Sequence, residues 1–485
     1  MQHAIGTTVV VEREARPVES TAPRGPIRRR RVRPDLSAVT VVALGAVARL
    51  AWLAYARPEP VSDFRHYMQT GYALLDTGTF GIGHPSAWRL PAYPAVLAAG
   101  AAVSRDPLAL AALTVGIGVV QIALTWWVAW RIFGSRTAAT VAAGVAAVAP
   151  ALVTFSPVLA SEHLLAVCVL AAVGVAIGPR GAADAAPQGG HGDDPDTETA
   201  TAPTWHRALL AGVVLGAGVL TRGEALAYLP VVALVAAGRR LRTSRRIASA
   251  AGAAAVVVLG VALVTVPWAV RNERVVGAGA GLSTTSGFNF YLAHSPGDYG
   301  WRTPLPLPLL VADEVTRNEL GWRYGLQYVR RHPDDWWPTV RRGTRELLAP
   351  STYAARYATV ARDPGSGRVT ARADLALRDT AIALAGRSSR WLLWAGLLGV
   401  ALVPLWRRSG WVAVVGLAVA NWALYAVVFW AQARYRFVVD ALACVSVGAP
   451  AAAMGALRAR TRAGRRVRAT ATSGRAVTDG PRSPC

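Results

Sequence analysis

The sequence predicts an all-α polytopic membrane protein with about ten transmembrane helices, and three observations predict this class. Of 485 residues, 53% are hydrophobic and only 16% are charged, whereas globular proteins average about a quarter charged residues. Apolar runs rich in Ala, Val and Leu recur along most of the chain, and arginine clusters border them. None of the 52 basic residues is a lysine. This usage, together with abundant Ala and Gly, indicates a GC-rich genome such as that of an actinobacterium.

A transmembrane helix needs about 20 apolar residues, and eight runs approach or reach this length. They are 36–56, 107–130, 137–156, 163–178, 247–270, 391–406, 410–430 and 436–456. Residues 208–238 are predicted to form two short spans divided by "TRGE", because a single helix would be about 46 Å long with charge at its centre. Residues 91–103 are short and contain two prolines, so we expect a helix on the membrane surface.

The arginine clusters orient these spans. With the N-terminal arm inside, "WRIFGSR", "GRRLRTSRR", "WRRSG" and the C-terminal tail all fall on the cytoplasmic side, as the positive-inside rule requires. Both termini are then cytoplasmic, and loops 57–106 and 271–390 lie outside the plasma membrane. The net charge of +24 is concentrated in these clusters, which indicates contact with anionic lipids rather than with nucleic acid.

Five regions follow from this topology. Residues 1–35 and 457–485 are predicted to be disordered basic cytoplasmic tails. Residues 36–270 form an N-terminal transmembrane module that carries the outer loop and a disordered acidic insert, 179–206. Residues 271–390 form a small helical outer segment without strand patterns, with two helices broken at Pro333. Residues 391–456 supply the last helices.

Unusual polar motifs fall on the predicted outer side in a fixed order. They are "SDFRHYMQTGYALLDTG", "PAYP", "SPVLASEHLL", "LTRGEALAYLP", "VPWAVRN", "SGFNFYLAHSPGDYGW" and "ARYRFVVDAL". In this order the sequence resembles the membrane-embedded glycosyltransferases that use polyprenyl-phosphate sugars, the superfamily of protein O-mannosyltransferases and aminoarabinose transferases. The resemblance runs through most of the chain and implies a GT-C-type fold.

The resemblance implies transfer of a sugar from a polyprenyl phosphate to a cell-envelope glycan, lipid or protein, with inversion at the anomeric carbon. A loop carboxylate is the usual candidate base in the family, and Asp63 is the matching position. Ser62 stands where protein O-mannosyltransferases often carry a second acid, which favours a glycan or lipid acceptor. No cofactor is implied, because the lipid-linked sugar is a substrate.

The residues expected at the site have two roles. The candidate catalytic residues are Asp63 and Glu162. The candidate substrate-binding residues are Tyr67, Arg222, Glu224, Arg271, Asn272, Asn289, Tyr291, Arg434 and Arg436. Arginine suits a phosphate because its planar fork of donors stays charged. A divalent metal is not indicated, since His66, one turn from Asp63, has no further ligands near it in sequence.

Each charge also has a structural interpretation. Asp63 suits a helix N-cap, and Glu162 suits the dipole at a helix start. Arg222 and Glu224 form a plausible structural ion pair, and Arg271 a structural contact at the end of a span. Arg434 and Arg436 are placed to reach lipid phosphates.

Two other functions compete with transfer. A transporter or flippase of lipid-linked glycans would bind the same lipid, but such proteins often show internal repeats, and the two halves show none. A non-catalytic membrane protein of envelope assembly would use the outer charges only structurally.

Overall fold

A computed structural model describes residues 35–179, 204–363 and 365–475. The chain separates into two units, Met1–Asp35 and Leu36–Cys485, and every element below belongs to the second. The predicted disordered arm, most of the 179–206 insert and the end of the C-terminal tail lie outside the described residues.

The first half of the chain is helical. Its helices are α1 Leu36–Ala56, α2 Ser62–Thr77, α3 Ala92–Ala101, α4 Pro107–Phe133, α5 Arg136–Val148, α6 Pro150–Phe155, α7 Glu162–Ile177, α8 Thr204–Thr221, α9 Leu229–Ser244 and α10 Ile247–Val275. A helix is found within 91–103, as α3, and its position on the membrane surface remains a prediction. The predicted division of 208–238 is also found, because Arg222 is extended and a 3₁₀ turn, Gly223–Tyr228, separates α8 from α9.

The predicted span 137–156 is not one helix. It breaks at Ala149, because Pro150 has no N–H to continue the ladder and begins α6. Arg49 of α1 fills the gap, since its guanidinium donates to the carbonyls of Ala146 and Ala147 at 2.8 Å each. An otherwise costly buried charge thereby satisfies the open end of α5.

The segment after α10 is more varied than predicted. It contains α11 Ser286–Ala293, α12 Leu307–Val311, α13 Glu314–Arg331, α14 Trp336–Leu348 and α15 Tyr353–Tyr357. The break expected at Pro333 is a 3₁₀ turn between α13 and α14. An antiparallel hairpin of β1 Val360–Arg362 and β2 Val369–Ala371 follows, which the predicted helical segment does not include. Three-residue strands are too short to produce a recognisable sequence alternation.

The last helices are α16 Arg378–Ala401, α17 Arg408–Trp422 and α18 Phe437–Arg475. Helix α16 begins well before the predicted 391. Helix α17 continues as a π-helical turn, Ala423–Val428, and a 3₁₀ turn, Ala433–Arg436, precedes α18. Helix α18 continues to Arg475, into the 457–485 region for which disorder is predicted.

Helices occur at all of the predicted spans, but their lengths differ. By length and apolar composition, five of the described helices are able to cross a membrane: Leu36–Ala56, Pro107–Phe133, Ile247–Val275, Arg408–Val428 and Ala433–Arg458. The fold is thus that of a helical membrane protein, and the number ten remains a prediction. Small residues allow close packing within it; Gly399 of α16, for example, has no room for a Cβ against the backbone of Ser446 in α18.

Candidate active site

Asp63 lies in the first turn of α2 but does not cap that helix. The N-cap is Val61, which makes no side-chain capping bond. The Asp63 carboxylate instead accepts hydrogen bonds from Arg89 Nη2 at 2.6 Å and from Arg434 Nη2 at 2.9 Å. Its side chain remains 19% exposed, so a substrate is able to reach it.

Arg434 is brought to Asp63 by the 3₁₀ turn between the π-helical turn and α18. Its side chain is only 6% exposed, and the rings of Tyr353 and Tyr435 each lie 5.0 Å from the guanidinium carbon. Aromatic faces stabilise a cation at this range, more strongly when it is desolvated. The geometry fixes a positive charge beside the loop carboxylate.

Glu162 continues the series of charges. It is the first residue of α7 and is 3% exposed. Its Oε1 lies 2.9 Å from Arg222 Nη1 and 3.8 Å from Arg434 Nε. Arg222 also contacts Glu224, whose Oε1 accepts a hydrogen bond from the Tyr425 hydroxyl at 2.5 Å.

Three guanidinium groups and three carboxylates therefore alternate from one end of the site to the other. The order is Arg89, Asp63, Arg434, Glu162, Arg222 and Glu224. They come from the first loop, α7, the joint between α8 and α9, and the turn before α18. We refer to these six residues as the charge ladder. Buried charges require such pairing because isolated ones are too costly.

Tyr67 joins the charge ladder from the side. Its hydroxyl accepts a hydrogen bond from Ser161 Oγ at 3.2 Å, and Ser161 Oγ in turn accepts one from Arg222 Nη1 at 3.2 Å. The Arg89 guanidinium carbon lies 5.2 Å from the Tyr67 ring. Tyr67 thus connects the Asp63 end of the charge ladder to its Arg222 end.

The two arginines determine the protonation of Asp63. Burial alone would raise the pKa of Asp63, but the charges and hydrogen bonds of Arg89 and Arg434 outweigh it and hold that pKa well below its usual range. Burial, reinforced by the charge of Arg89, lowers the pKa of His66 to about 4. At neutral pH the site therefore contains an ionised Asp63 beside a neutral His66.

A cavity of about 670 Å³ opens at the Arg222 end of the charge ladder. Arg222, Glu224, Tyr425 and Tyr435 form part of its wall, and Asn289 lines it as well. Apolar side chains complete it, among them Leu90, Leu226, Leu424, Phe429 and Trp430. We refer to it as the large cavity. Its volume is typical of ligand sites, about 300–1,000 Å³, and its walls suit a molecule with both a charged and an apolar part.

The structure does not bring every predicted residue to this site, and Arg436 is the clearest correction. Arg436 is 1% exposed, and its Nε donates to Asp440 at 2.9 Å while its Nη1 donates to the Leu347 carbonyl at 2.6 Å. A residue two positions after Arg434 faces another direction. Arg436 therefore anchors α18 to the end of α14, and nothing in its contacts favours a substrate role.

Three further predicted residues also make structural contacts. Arg271 donates to the carbonyls of Phe80 and Ser86 in the first loop, and Asn272 donates to the carbonyl of Gly281 at 2.9 Å. Tyr291 is buried in an aromatic cluster. These contacts hold the loops around the large cavity in place.

Sequence reasoning missed Arg89, Ser161, Tyr353 and Tyr425. Arg89 carried a usable signal, because an arginine in a predicted outer loop runs against the positive-inside trend. Tyr425 lies within an apolar run, and only the fold shows that it meets Glu224. Across the described ranges, no three His, Cys, Asp or Glu side chains lie together as a metal site would require.

Comparisons with known proteins return solved structures but no family. No family model matches the chain, and no curated protein sequence matches it. Among solved structures, the chain is similar to the oligosaccharyltransferase of Archaeoglobus fulgidus tethered with an acceptor peptide, with 15% identity and a TM-score of 0.45 over 86% of this chain. The match covers 49% of that enzyme, so this chain corresponds to about half of its length.

It is also similar to ArnT from Cupriavidus metallidurans bound to undecaprenyl phosphate. That comparison gives 18% identity and a TM-score of 0.38 over 85% of this chain and 78% of the other. The apo state of the same protein gives 17% identity and a TM-score of 0.35, covering 86% and 79% of the two chains.

Proposed function

We propose that the protein is a GT-C-type membrane glycosyltransferase that moves a sugar from a polyprenyl phosphate to an acceptor outside the plasma membrane. The observation that carries the proposal is the contact of a reachable loop carboxylate, Asp63, with a buried arginine, Arg434, at 2.9 Å. A base for the acceptor hydroxyl and a cation for the leaving phosphate are the two groups that this reaction needs.

The reaction proceeds as a direct displacement. The acceptor oxygen bonds to the anomeric carbon while its proton passes to Asp63. The bond between the anomeric carbon and the phosphate oxygen breaks, and the phosphate leaves with the electron pair. Because the acceptor attacks opposite the leaving group, the configuration at the anomeric carbon inverts.

The large cavity supports a site for the donor. Its apolar wall is suited to the first part of a prenyl chain, and Arg222 at its charged end is suited to the phosphate. Tyr435 lines this cavity and lies against Arg434, so these two side chains connect a phosphate bound there to Asp63.

Donor binding also solves a chemical difficulty in the free protein. A carboxylate held by two arginines is a weak base, because its proton affinity is low. The charge ladder has equal numbers of positive and negative groups, so an added phosphate must compete for one of its arginines. If Arg434 turns toward the phosphate, Asp63 loses one partner and becomes a stronger base.

The products distinguish this proposal from its alternatives. We expect purified protein, given a synthetic polyprenyl-phosphate sugar and an envelope extract as acceptor, to release polyprenyl phosphate and form a glycoside of inverted configuration. A flippase would move the same lipid across vesicles with its sugar–phosphate bond intact, and a non-catalytic assembly protein would do neither. A product of retained configuration would contradict the single displacement.

A further inference from the structure

A second cavity shares Trp430 with the large cavity as a lining residue. It has a volume of about 380 Å³, again within the usual range of ligand sites. Trp430 is 4% exposed and lines both cavities. The other walls of this second cavity come from the 3₁₀ turn Gly300–Arg302, the end of α14, the start of α15 and residues 431–433. We refer to it as the Gln432 cavity.

The Gln432 cavity holds a buried polar atom without a partner. Gln432 Oε1 is buried and accepts no hydrogen bond from any described residue. Leaving a buried acceptor unsatisfied costs stability. If the Gln432 side chain turns toward the cavity that it lines, a hydroxyl group of a ligand there would supply the missing donor.

The rest of the lining suits a polyhydroxylated molecule. Trp301 and Tyr353 offer aromatic faces, while Arg302, Glu346 and Arg356 offer charged donors and acceptors. A sugar ring has apolar C–H faces that pack on aromatic rings, and its hydroxyls both donate and accept hydrogen bonds. An extended peptide is commonly bound by adding to the edge of a sheet, but neither β1 nor β2 lines this cavity.

The Gln432 cavity is also next to the reacting groups. Tyr353 forms part of its wall and lies 5.0 Å from the Arg434 guanidinium carbon. Ala433, which directly precedes Arg434, lines it too. Arg434 in turn bonds to Asp63, so Tyr353 and Arg434 connect the wall of the Gln432 cavity to that carboxylate.

We infer that the Gln432 cavity binds a carbohydrate acceptor, with Trp301 stacking on a sugar ring and Gln432 and Glu346 hydrogen-bonding its hydroxyls. This inference rests on the proposed function, because it assigns the acceptor side of the same reaction. The large cavity and the Gln432 cavity then separate donor from acceptor, and the acceptor extends from the Gln432 cavity past Tyr353 to bring its reacting hydroxyl to Asp63.

The test measures binding apart from turnover. Full-length protein carrying Asp63→Asn is titrated with short hexose and pentose oligosaccharides, and binding is followed by calorimetry. We expect at least one oligosaccharide to bind, and Trp301→Ala or Gln432→Ala to weaken it about tenfold, which corresponds to about 1.4 kcal/mol. The matched control is Trp337→Ala, because Trp337 on α14 is 57% exposed and Trp301 is 56% exposed, but Trp337 does not line the cavity.

Three results would overturn the inference. They are binding that is equally tight in Trp301→Ala, Gln432→Ala and the parent protein, equal weakening by Trp337→Ala, and binding of serine-rich peptides but of no oligosaccharide. Release of polyprenyl phosphate by protein with Asp63 intact is measured in parallel. Donor turnover without carbohydrate binding rejects the acceptor site alone, whereas absence of turnover with every donor rejects the proposed function.

Discussion

Arg434 donates a 2.9 Å hydrogen bond to Asp63, although 371 positions separate the two residues in the sequence. The contact joins the first loop to the turn before the last helix, and Glu162 and Arg222 extend it toward the large cavity. Some residues belong to this charge ladder, and others lie close to it in sequence without contacting it. We expect substitutions in these two groups to have different effects.

Replacement of Arg434 by lysine keeps the charge but removes the fork. We expect Arg434→Lys to raise the apparent KM for the donor at least several-fold, because one ammonium group cannot hold Asp63 and a phosphate in the same geometry. Steady-state kinetics with varied donor measure this. The control is Arg342→Lys. In the parent protein the Arg342 guanidinium pairs with Asp298 at 2.6 Å, and neither residue belongs to the charge ladder. An unchanged KM would show that Arg222 holds the phosphate without Arg434.

Replacement of Arg436 by lysine should have a different effect. The sequence predicts a role in donor binding, but the structure places Arg436 among Asp440 and the carbonyls of Leu347 and Ala349. We expect Arg436→Lys to lower the thermal unfolding temperature in detergent while the donor KM of the folded fraction stays the same. Damage to a buried pair costs up to about 3–5 kcal/mol. A raised KM at unchanged stability would restore the sequence-based interpretation.

The depressed pKa of Asp63 predicts the pH dependence of the reaction. In the free protein Asp63 stays ionised as the pH falls through about 3.9, where an ordinary Asp takes up its proton. The activity that depends on ionised Asp63 and the contribution of Asp63 to stability are therefore present at higher pH. Both are lost only as the pH falls through the lowered pKa of Asp63 in the folded protein. We expect kcat/KM to show no acid limb from Asp63 above about pH 5.

Loss of one arginine should shift that limb in a known direction. Arg434→Gln removes a positive charge beside Asp63, so the pKa of Asp63 rises and the acid limb moves to higher pH. Profiles of kcat/KM against pH for the two proteins measure the shift. A limb that moves to lower pH, or that appears near neutrality in the parent protein, would show that another group controls the rate.

The predicted orientation is testable by chemical labelling. Ala95 in α3 and Arg242 at the end of α9 are both exposed, and the predicted topology places them on opposite sides of the membrane. In a background with Cys485→Ser, we expect an impermeant thiol reagent added to intact cells to label Ala95→Cys but not Arg242→Cys. Reversed labelling would overturn the topology.

The sequence predicts most of the helices and much of the charge ladder, since Asp63, Glu162, Arg222, Glu224 and Arg434 are all charged residues beside apolar runs. Such charges are expensive in a membrane protein and usually serve a site. The pattern does not predict which of two nearby arginines reaches the site, because the 3₁₀ turn Ala433–Arg436 directs them differently.

Tertiary contacts between neutral residues are the part that sequence reasoning does not predict. Tyr425 lies in a π-helical turn, where the extra residue per turn changes the face that each side chain occupies. That turn stacks Tyr425 on Tyr435 with 4.7 Å between ring centres. An apolar run gives no sign of such a change in register, and the hairpin of β1 and β2 is too short to give one either.

Donor turnover by the parent protein and by Asp63→Asn tests the central claim most directly. The control is Asp76→Asn, because Asp76 lies on the same helix and pairs with Arg105 at the surface. With a synthetic polyprenyl-phosphate sugar and acceptor, we expect the parent and the control to release polyprenyl phosphate at similar rates. Asp63→Asn should be slower by about 10²–10⁴, as expected for loss of a general base, with equal yield of folded protein. Equal rates for Asp63→Asn and Asp76→Asn would contradict the assignment of Asp63 as the base.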